Sequence, residues 1–289
     1  MFDQYDMVCV LGPTASGKTR YAVDLARRMG AEILSADSRQ IYRGMDIGTG
    51  KDLDEYGEVP YHLIDIVDAG EKYDIFRYQR DFETAYQDVL SRGKRAILCG
   101  GSGLYIEAVC CGYHLPDVPA NPALRAELEK YDDETLIARL ASLKHLHNTT
   151  DYDTRRRLIR ALEIAIWEQE HPVERSAYLP KNTKFIGINV SRDERRERIE
   201  KRLKARLEGG MIDEIRGLLE RGVAPEDLIY YGLEYKFVTR YVIGEISYEE
   251  MYSGLLTAIR QFAKRQMTWF RGMERRWDIE IEWVDPIRS

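Results

Sequence analysis

Cysteine is scarce in this chain. The 289 residues hold four, Cys9, Cys99, Cys110 and Cys111, and no two of them form a CxxC pair. A disulfide framework and a cysteine-built structural zinc are thereby excluded, and a reduced, cytoplasmic protein is expected. Cys9 and Cys99 sit in apolar runs, where the residue acts as a small hydrophobe. Long hydrophobic runs are missing too, since no stretch approaches the roughly 18 consecutive apolar residues of a membrane span. The opening Met1-Phe2-Asp3-Gln4-Tyr5-Asp6 has neither a basic region nor an apolar stretch, so no signal peptide is expected. Internal repeats and low-complexity segments are absent. What is there suits a soluble globular protein of one or two domains, with 44% hydrophobic and 32% charged residues. A monomer without membrane contact is the expectation.

An overall surplus of base is also lacking. The formal net charge is −6, which taken alone disfavours nucleic acid. The deficit is local, however. Residues 1–120 carry 13 Lys and Arg against 19 Asp and Glu, whereas the remainder balances at 30 against 30. There the base comes in bursts: Arg155, Arg156 and Arg157 with Arg160; the stretch 192–206; and Arg260, Lys264, Arg265, Arg271, Arg275 and Arg276. Local patches govern docking to a phosphate backbone more than overall charge does. Each burst by itself reads more simply as a solvated helix face.

The apolar pattern predicts strands at 7–11, 32–36, 61–67 and 96–99, and helices at 18–29 and 76–90. Such alternation predicts an α/β fold, a P-loop NTPase-like parallel sheet with right-handed crossovers. The texture changes near Gly112. Residues 113–180 hold Pro116, Pro119, Pro122, Pro172 and Pro180 and helical patterns at 123–130, 134–143 and 155–170. A strand at 184–190 then returns, followed by helices at 193–208, 212–221 and 248–270. We read a discontinuous core, 1–112 and 182–289, interrupted by a mainly helical insertion domain, 113–181.

Gly12-Pro13-Thr14-Ala15-Ser16-Gly17-Lys18-Thr19 is a complete GxxxxGK[ST] P-loop, with a strand before it and a helix after it. Its glycines let backbone N–H groups turn inward around a diphosphate, and the helix N-terminus adds favourable partial charge. Lys18 offers a point charge to the terminal phosphates, and the Thr19 hydroxyl is placed for Mg2+. The loop defines a phosphate site, not a reaction.

Ser35-Ala36-Asp37-Ser38-Arg39-Gln40-Ile41-Tyr42 follows the second strand, so Asp37 lies at a carboxyl end, where α/β sheets place ligands. Asp37 there could bind Mg2+, accept a proton or cap a helix. Cys99-Gly100-Gly101-Ser102-Gly103-Leu104-Tyr105 ends a third strand in the same place. A P-loop ATPase keeps a metal-binding acid near such an end, but Leu98 and Cys99 are apolar. The glycines allow close approach of a ligand. Ser102 offers either a working hydroxyl or a helix N-cap.

Together these segments resemble the tRNA dimethylallyltransferase (isopentenyl-diphosphate:tRNA transferase) family, along nearly the full length. The resemblance is carried by GPTASGKT at 12–19, SADSRQIYRGMDIGT at 35–49, HLIDIVD at 62–68, CGGSGLYIEA at 99–108, RRRLIRALE at 155–163, GEIS at 244–247 and RQFAKRQMTWFRG at 260–272. It implies that Gly12–Thr19 hold dimethylallyl diphosphate in place of ATP, and that N6 of an adenine displaces the diphosphate. Asp37 matches the family's general base. Lys18 and Mg2+, with Thr19 as the metal's ligand, would take up charge on the leaving group. Ser102 stands where the family usually has threonine, whose hydroxyl holds the reacting groups.

The implied target is the tRNA adenosine just 3′ of the anticodon, flipped from its stack. For tRNA the resemblance points to Asp37, Ser38, Arg39, Gln40 and Ser102. It points also to Arg125, Arg156, Arg157 and Arg160 in the insertion, and to Arg260, Gln261, Lys264, Arg265 and Gln266. Arg260 and Lys264 share a helix face at i, i+4, which can follow a phosphate backbone. Two stretches depart from the family pattern. Gly232-Leu233-Glu234 stands where members usually show Gly-Tyr-Lys or Gly-Tyr-Arg, and residues 148–153 replace a His-Pro-Asn-Asp signature.

Three other readings share parts of these motifs. Adenylate isopentenyltransferases, which prenylate free nucleotides, also carry Gly-Gly-Ser. A P-loop small-molecule kinase would use Asp37 to deprotonate an alcohol and would turn over ATP. A non-catalytic RNA-binding protein would have no need of Lys18, Thr19 and Asp37 together.

Overall fold

The computed structural model describes residues 2–112, 118–143, 154–171 and 181–286. The chain divides into two compact units, Met1–Tyr113 with Leu179–Ser289, and His114–Tyr178.

In the first unit β1 (Met7–Leu11) is buried along its whole length, as a continuous apolar run is at the centre of a parallel sheet. α1 (Lys18–Met29) ends at Gly30, whose φ of 61° lets its N–H close the last turn on the Ala26 carbonyl. There follow β2 (Ala31–Ala36), β3 (Tyr42–Arg43), β4 (Tyr61–His62) and β5 (Val67–Asp68). α2 (Ile75–Ser91), β6 (Arg95–Gly100) and α3 (Gly103–Cys110) complete this half.

The second unit contains α4 (Pro122–Leu128), α5 (Asp133–Leu143) and α6 (Arg155–Glu170), packed on Leu128, Leu136, Leu140, Leu158 and Leu162. The chain re-enters the first unit with β7 (Thr183–Ile188) and α7 (Arg192–Glu208). α8 (Met211–Glu220), α9 (Pro225–Tyr231), α10 (Leu233–Val242), α11 (Tyr248–Trp277) and β8 (Ile281–Val284) follow.

The sheet runs β4-β2-β6-β1-β7-β8, and each neighbouring pair is parallel. Leu11 lies opposite Gly100, and Gly100 opposite Ala36. The carboxyl ends of β1, β6 and β2 therefore finish side by side, and the three loops that leave them share one edge. That is the crevice where α/β sheets bind ligands. α1 lays Ala22, Val23, Leu25 and Ala26 into the core, while α7–α11 close a second apolar cluster around Leu203, Ile215, Tyr235 and Leu255. Among the described residues no helix is long and apolar enough to cross a membrane.

The expected strand at 61–67 is instead two short strands in different sheets. β4 pairs with β2, and β5 pairs with β3. Between them Leu63 and Asp65 take left-handed φ values of 64° and 57°, which no strand tolerates. The fully buried Lys51 ammonium holds this kink by bonding the Asp65 carboxylate, the Asp46 carboxylate and the Tyr42 carbonyl. The last helix runs on to Trp277, beyond the expected end at 270. α3, α9, α10 and β8 were not among the expected elements.

Candidate active site

The P-loop spans the gap between β1 and α1. Gly17 caps α1 at φ 86°, a conformation that side chains resist, and exposes the N–H groups of the first turn. The loop is pinned from α11. Buried Gln266 accepts the Thr14 N–H at 2.8 Å and donates through Nε2 to the Gly101 carbonyl at 2.9 Å, so one side chain ties the P-loop to the Gly-Gly-Ser loop. Beneath it the Ser16 hydroxyl is buried without a hydrogen-bond partner among the described residues. Burial pushes the Lys18 ammonium down from its ordinary pKa, and the Asp37 carboxylate opposes that shift.

Asp37 leaves β2 directly above this loop. Its Oδ1 accepts the Arg39 N–H at 3.0 Å, an Asx turn that orients the carboxylate. No helix follows for it to cap. Ser102 holds the N-cap position of α3 but makes no cap bond. Its hydroxyl instead accepts the Ser38 N–H at 3.0 Å and meets the Ser38 hydroxyl at 3.2 Å. The two loops are this close because Gly100 has no side chain: a Cβ there would stand 2.1 Å from the Ala36 carbonyl oxygen. Gln40 donates to the Gly50 carbonyl at 2.9 Å and so fixes the cavity's far lip.

Thr14–Thr19, Asp37–Gln40, Ser102 and Gln266 line a single cavity of about 260 Å³. Gly12 and Pro13 are buried under it. Sequence reasoning missed one wall. α7 presents Arg198, Arg202 and Arg206 at four-residue spacing, one face of a helix, and all three line the cavity. Arg198 donates to the Ser16 carbonyl at 3.3 Å, and Arg202 donates to the Thr14 hydroxyl. Burial, reinforced by neighbouring Arg206, pushes the Arg202 guanidinium down to about 10. The available signal was that four-residue spacing inside the basic stretch 192–206. Glu234, where the family pattern is basic, lines the same wall and lies 3.4 Å from Arg39.

The donors here fit a hard divalent cation held mainly by a phosphate ligand. Among the described residues no three His, Cys, Asp or Glu side chains gather into a metal cage. A cation of this kind needs few protein ligands beside phosphate oxygens and water. The Thr19 hydroxyl next to Lys18 meets that need.

Among the remaining candidates of the first unit, Arg260, Gln261, Lys264 and Arg265 do not line this cavity. Arg125 bonds Glu163 through Nε and Nη2 at 3.0 and 2.8 Å, and Arg160 bonds the same carboxylate and the Val118 carbonyl. Arg156 and Arg157 are exposed on α6. On α11, Arg260 pairs with Glu200 at 3.0 Å, while Gln261, Lys264 and Arg265 are exposed. Phe262 faces the cavity, with the Arg39 guanidinium 5.5 Å from its ring centre.

Residues 40–273 match the family model described as IPP transferase, and residues 5–59 match that of isopentenyl transferase. The chain belongs to the IPP transferase family. It is 58% identical to the tRNA dimethylallyltransferase 2 of Porphyromonas gingivalis strain W83, covering 97% of this chain and 94% of that one. It is also 58% identical to the tRNA dimethylallyltransferase 1 of Parabacteroides distasonis, with 97% and 92% covered. Its fold is similar to the crystal structure of the tRNA isopentenylpyrophosphate transferase of Bacillus halodurans, at 34% identity and TM-score 0.71, covering 97% and 90%. A eukaryotic dimethylallyltransferase acting on tRNA superposes with TM-score 0.77 at 25% identity, covering 97% of this chain and 74% of that one. The parallel sheet, the P-loop and the Gly-Gly-Ser edge are thus features of a prenyltransferase.

Proposed function

We propose that this chain moves the dimethylallyl group of dimethylallyl diphosphate onto N6 of the adenosine 3′ of the anticodon in tRNA. The observation that carries this reading is the pairing of Asp37 with the P-loop in one cavity, at a β6 end that has no acid for ATP hydrolysis. An adenine amine is a weak nucleophile because its lone pair is delocalised into the ring. Asp37, oriented by the Arg39 N–H, accepts the N6 proton as nitrogen bonds to the allylic carbon. The carbon–oxygen bond to the diphosphate breaks in the same event. The departing charge falls on Lys18 and the N–H groups of the P-loop, fixed dipoles that need no reorganisation. Thr19 would hold a Mg2+ ion at the diphosphate, and that ion would supply further neutralisation of the leaving group. The Ser102 hydroxyl, placed by the Ser38 N–H, positions the incoming base. Arg39 and Phe262 offer stacking surfaces for a splayed base. The segment 113–181 and the exposed Lys264 and Arg265 hold the RNA.

The test is incubation with dimethylallyl diphosphate, Mg2+ and tRNA, followed by mass spectrometry of the nucleosides. N6-dimethylallyl adenosine from tRNA is the expected product. Prenylated AMP formed in place of it would reassign the chain to the free-nucleotide enzymes, and ATP-dependent phosphorylation of an alcohol to the kinases.

A further inference from the structure

Glu234 is an unexpected occupant of an anion site. A carboxylate in the wall repels the ligand that the P-loop attracts, yet Glu234 is only 7% exposed and lines the cavity. Its two oxygens reach two guanidinium groups, Oε2 towards Arg39 at 3.4 Å and Oε1 towards Arg206 at 3.8 Å. Asp52 stands on the other side of Arg206, its Oδ2 at 3.7 Å from Nη2. Charge-assisted hydrogen bonds are shorter, about 2.7–2.9 Å. Arg206 is therefore held by field rather than by contact, and its Nη2 is buried with no hydrogen-bond partner among the described residues. The backbone makes room for it: a Cβ on Gly50 would fall 1.5 Å from that nitrogen. A guanidinium in the wall of a P-loop cavity, with an unused pair of N–H donors, is suited to bind phosphate.

We propose that Arg206 closes over the phosphate of the diphosphate farther from the P-loop, and that Glu234 is the positioning residue that aims its guanidinium. The proposal rests on reading this cavity as a diphosphate site. It assigns α7 a jaw opposite the P-loop. Arg198 and Arg202 hold the loop itself, through the Ser16 carbonyl and the Thr14 hydroxyl, while Arg206 one turn further on is left for the ligand.

The test is calorimetric titration of the full chain with inorganic pyrophosphate and with inorganic phosphate. Arg206→Met should weaken pyrophosphate roughly 10–100-fold, the range of one hydrogen bond to a charged group. It should leave inorganic phosphate, which the P-loop alone can hold, nearly unchanged. Arg206→Lys should keep part of the pyrophosphate affinity. If Arg206→Met does not fold, the exchange of Arg206→Glu with Glu234→Arg takes its place, and pyrophosphate affinity must follow the cation. Glu234→Gln should raise KM for dimethylallyl diphosphate while kcat at saturation holds. A fall in KM would show the carboxylate to be merely repulsive and would end its positioning role. Lys18→Ala, run in parallel, separates the two levels. Pyrophosphate affinity lost with Lys18→Ala but kept with Arg206→Met overturns the clamp alone. Affinity that depends on neither residue overturns the diphosphate reading of the cavity.

Discussion

Two sets of arginines in this molecule share the same chemistry, yet do different work. On α4 and α6, Arg125 and Arg160 converge on Glu163, whose side chain is 1% exposed. Arg155 is likewise engaged by Glu129, Asp133 and backbone carbonyls. On α7, Arg198 and Arg202 meet the P-loop through a carbonyl and a hydroxyl, and Arg206 reaches carboxylates only beyond 3.5 Å. The first set is neutralised by short contacts and orders its own unit. The second keeps positive charge in the wall of the P-loop cavity. A burst of base in a sequence therefore does not declare its role until the partners are seen, and the deciding quantity is how closely carboxylates match it.

The largest effect expected concerns the other side of that comparison, a carboxylate with work to do. Asp37→Asn keeps the oxygen that accepts the Arg39 N–H but cannot take a proton. Turnover at saturating substrates should fall roughly 10²–10⁴-fold by general-base magnitudes. Affinity for dimethylallyl diphosphate and the Mg2+ requirement should hardly move. Activity restored to the Asn variant by added Mg2+ would show the carboxylate to be serving the metal.

Glu163 is the contrasting carboxylate, and its removal should cost stability instead of chemistry. Glu163→Gln leaves two guanidinium groups facing a neutral amide. The loss should lie toward the lower end of about 3–5 kcal/mol, because Arg125 and Arg160 remain 44% and 38% exposed. Acid should imitate the substitution. Burial by itself would raise the Glu163 carboxyl, but hydrogen bonds from Arg125, the Asn121 N–H and Arg160 outweigh it and hold it down to about 2, against an ordinary 4.5. A depressed pKa contributes stability that is present above the ordinary value and lost as pH falls through the folded one. Denaturant unfolding followed from pH 6 to pH 2 should thus weaken in the parent chain below about pH 4.5 and change less in the Gln variant. Identical pH profiles would mean that this cluster is not what holds the unit together.

How much of this was readable beforehand follows from what each signal depends on. β1, the P-loop and α1 were legible because glycines at 12, 17 and 30 punctuate a short buried run and an amphipathic one. The stretch 61–67 misled because its apolar content suits a strand, while the left-handed turns at Leu63 and Asp65 depend on buried Lys51, which is remote from the pattern. In sequence the α7 arginines read as a solvated face, because 192–206 is charged at every position except Ile199, Leu203 and Ala205. Gln266 could have been recognised as internal. It falls on the buried face of α11 with Ile259, Ala263, Met267 and Phe270, and a polar residue on an apolar stripe announces a partner. Nothing local could have shown that the partner is the P-loop, 252 residues away.

The smallest effect expected divides two neighbours on α11 that the sequence treated as one patch. Arg260 and Lys264 lie four residues apart, but Arg260 is half-buried and bonded to Glu200 at 3.0 Å, whereas Lys264 is exposed and in no ion pair among the described residues. A cation already matched by a carboxylate displaces few counterions when a phosphate approaches. An unmatched one displaces nearly its full share, worth about 0.7–0.9 in the slope of log K against log salt per contact. Lys264→Ala should therefore flatten the salt dependence of tRNA binding by about that amount, equally for every tRNA sequence. Arg260→Ala should change the slope by much less, and Glu200→Gln, by releasing Arg260, should steepen it. Equal slopes for the two alanine variants would show that the Glu200 pair opens when RNA binds, and that proximity of a carboxylate does not sort these arginines and lysines on α11.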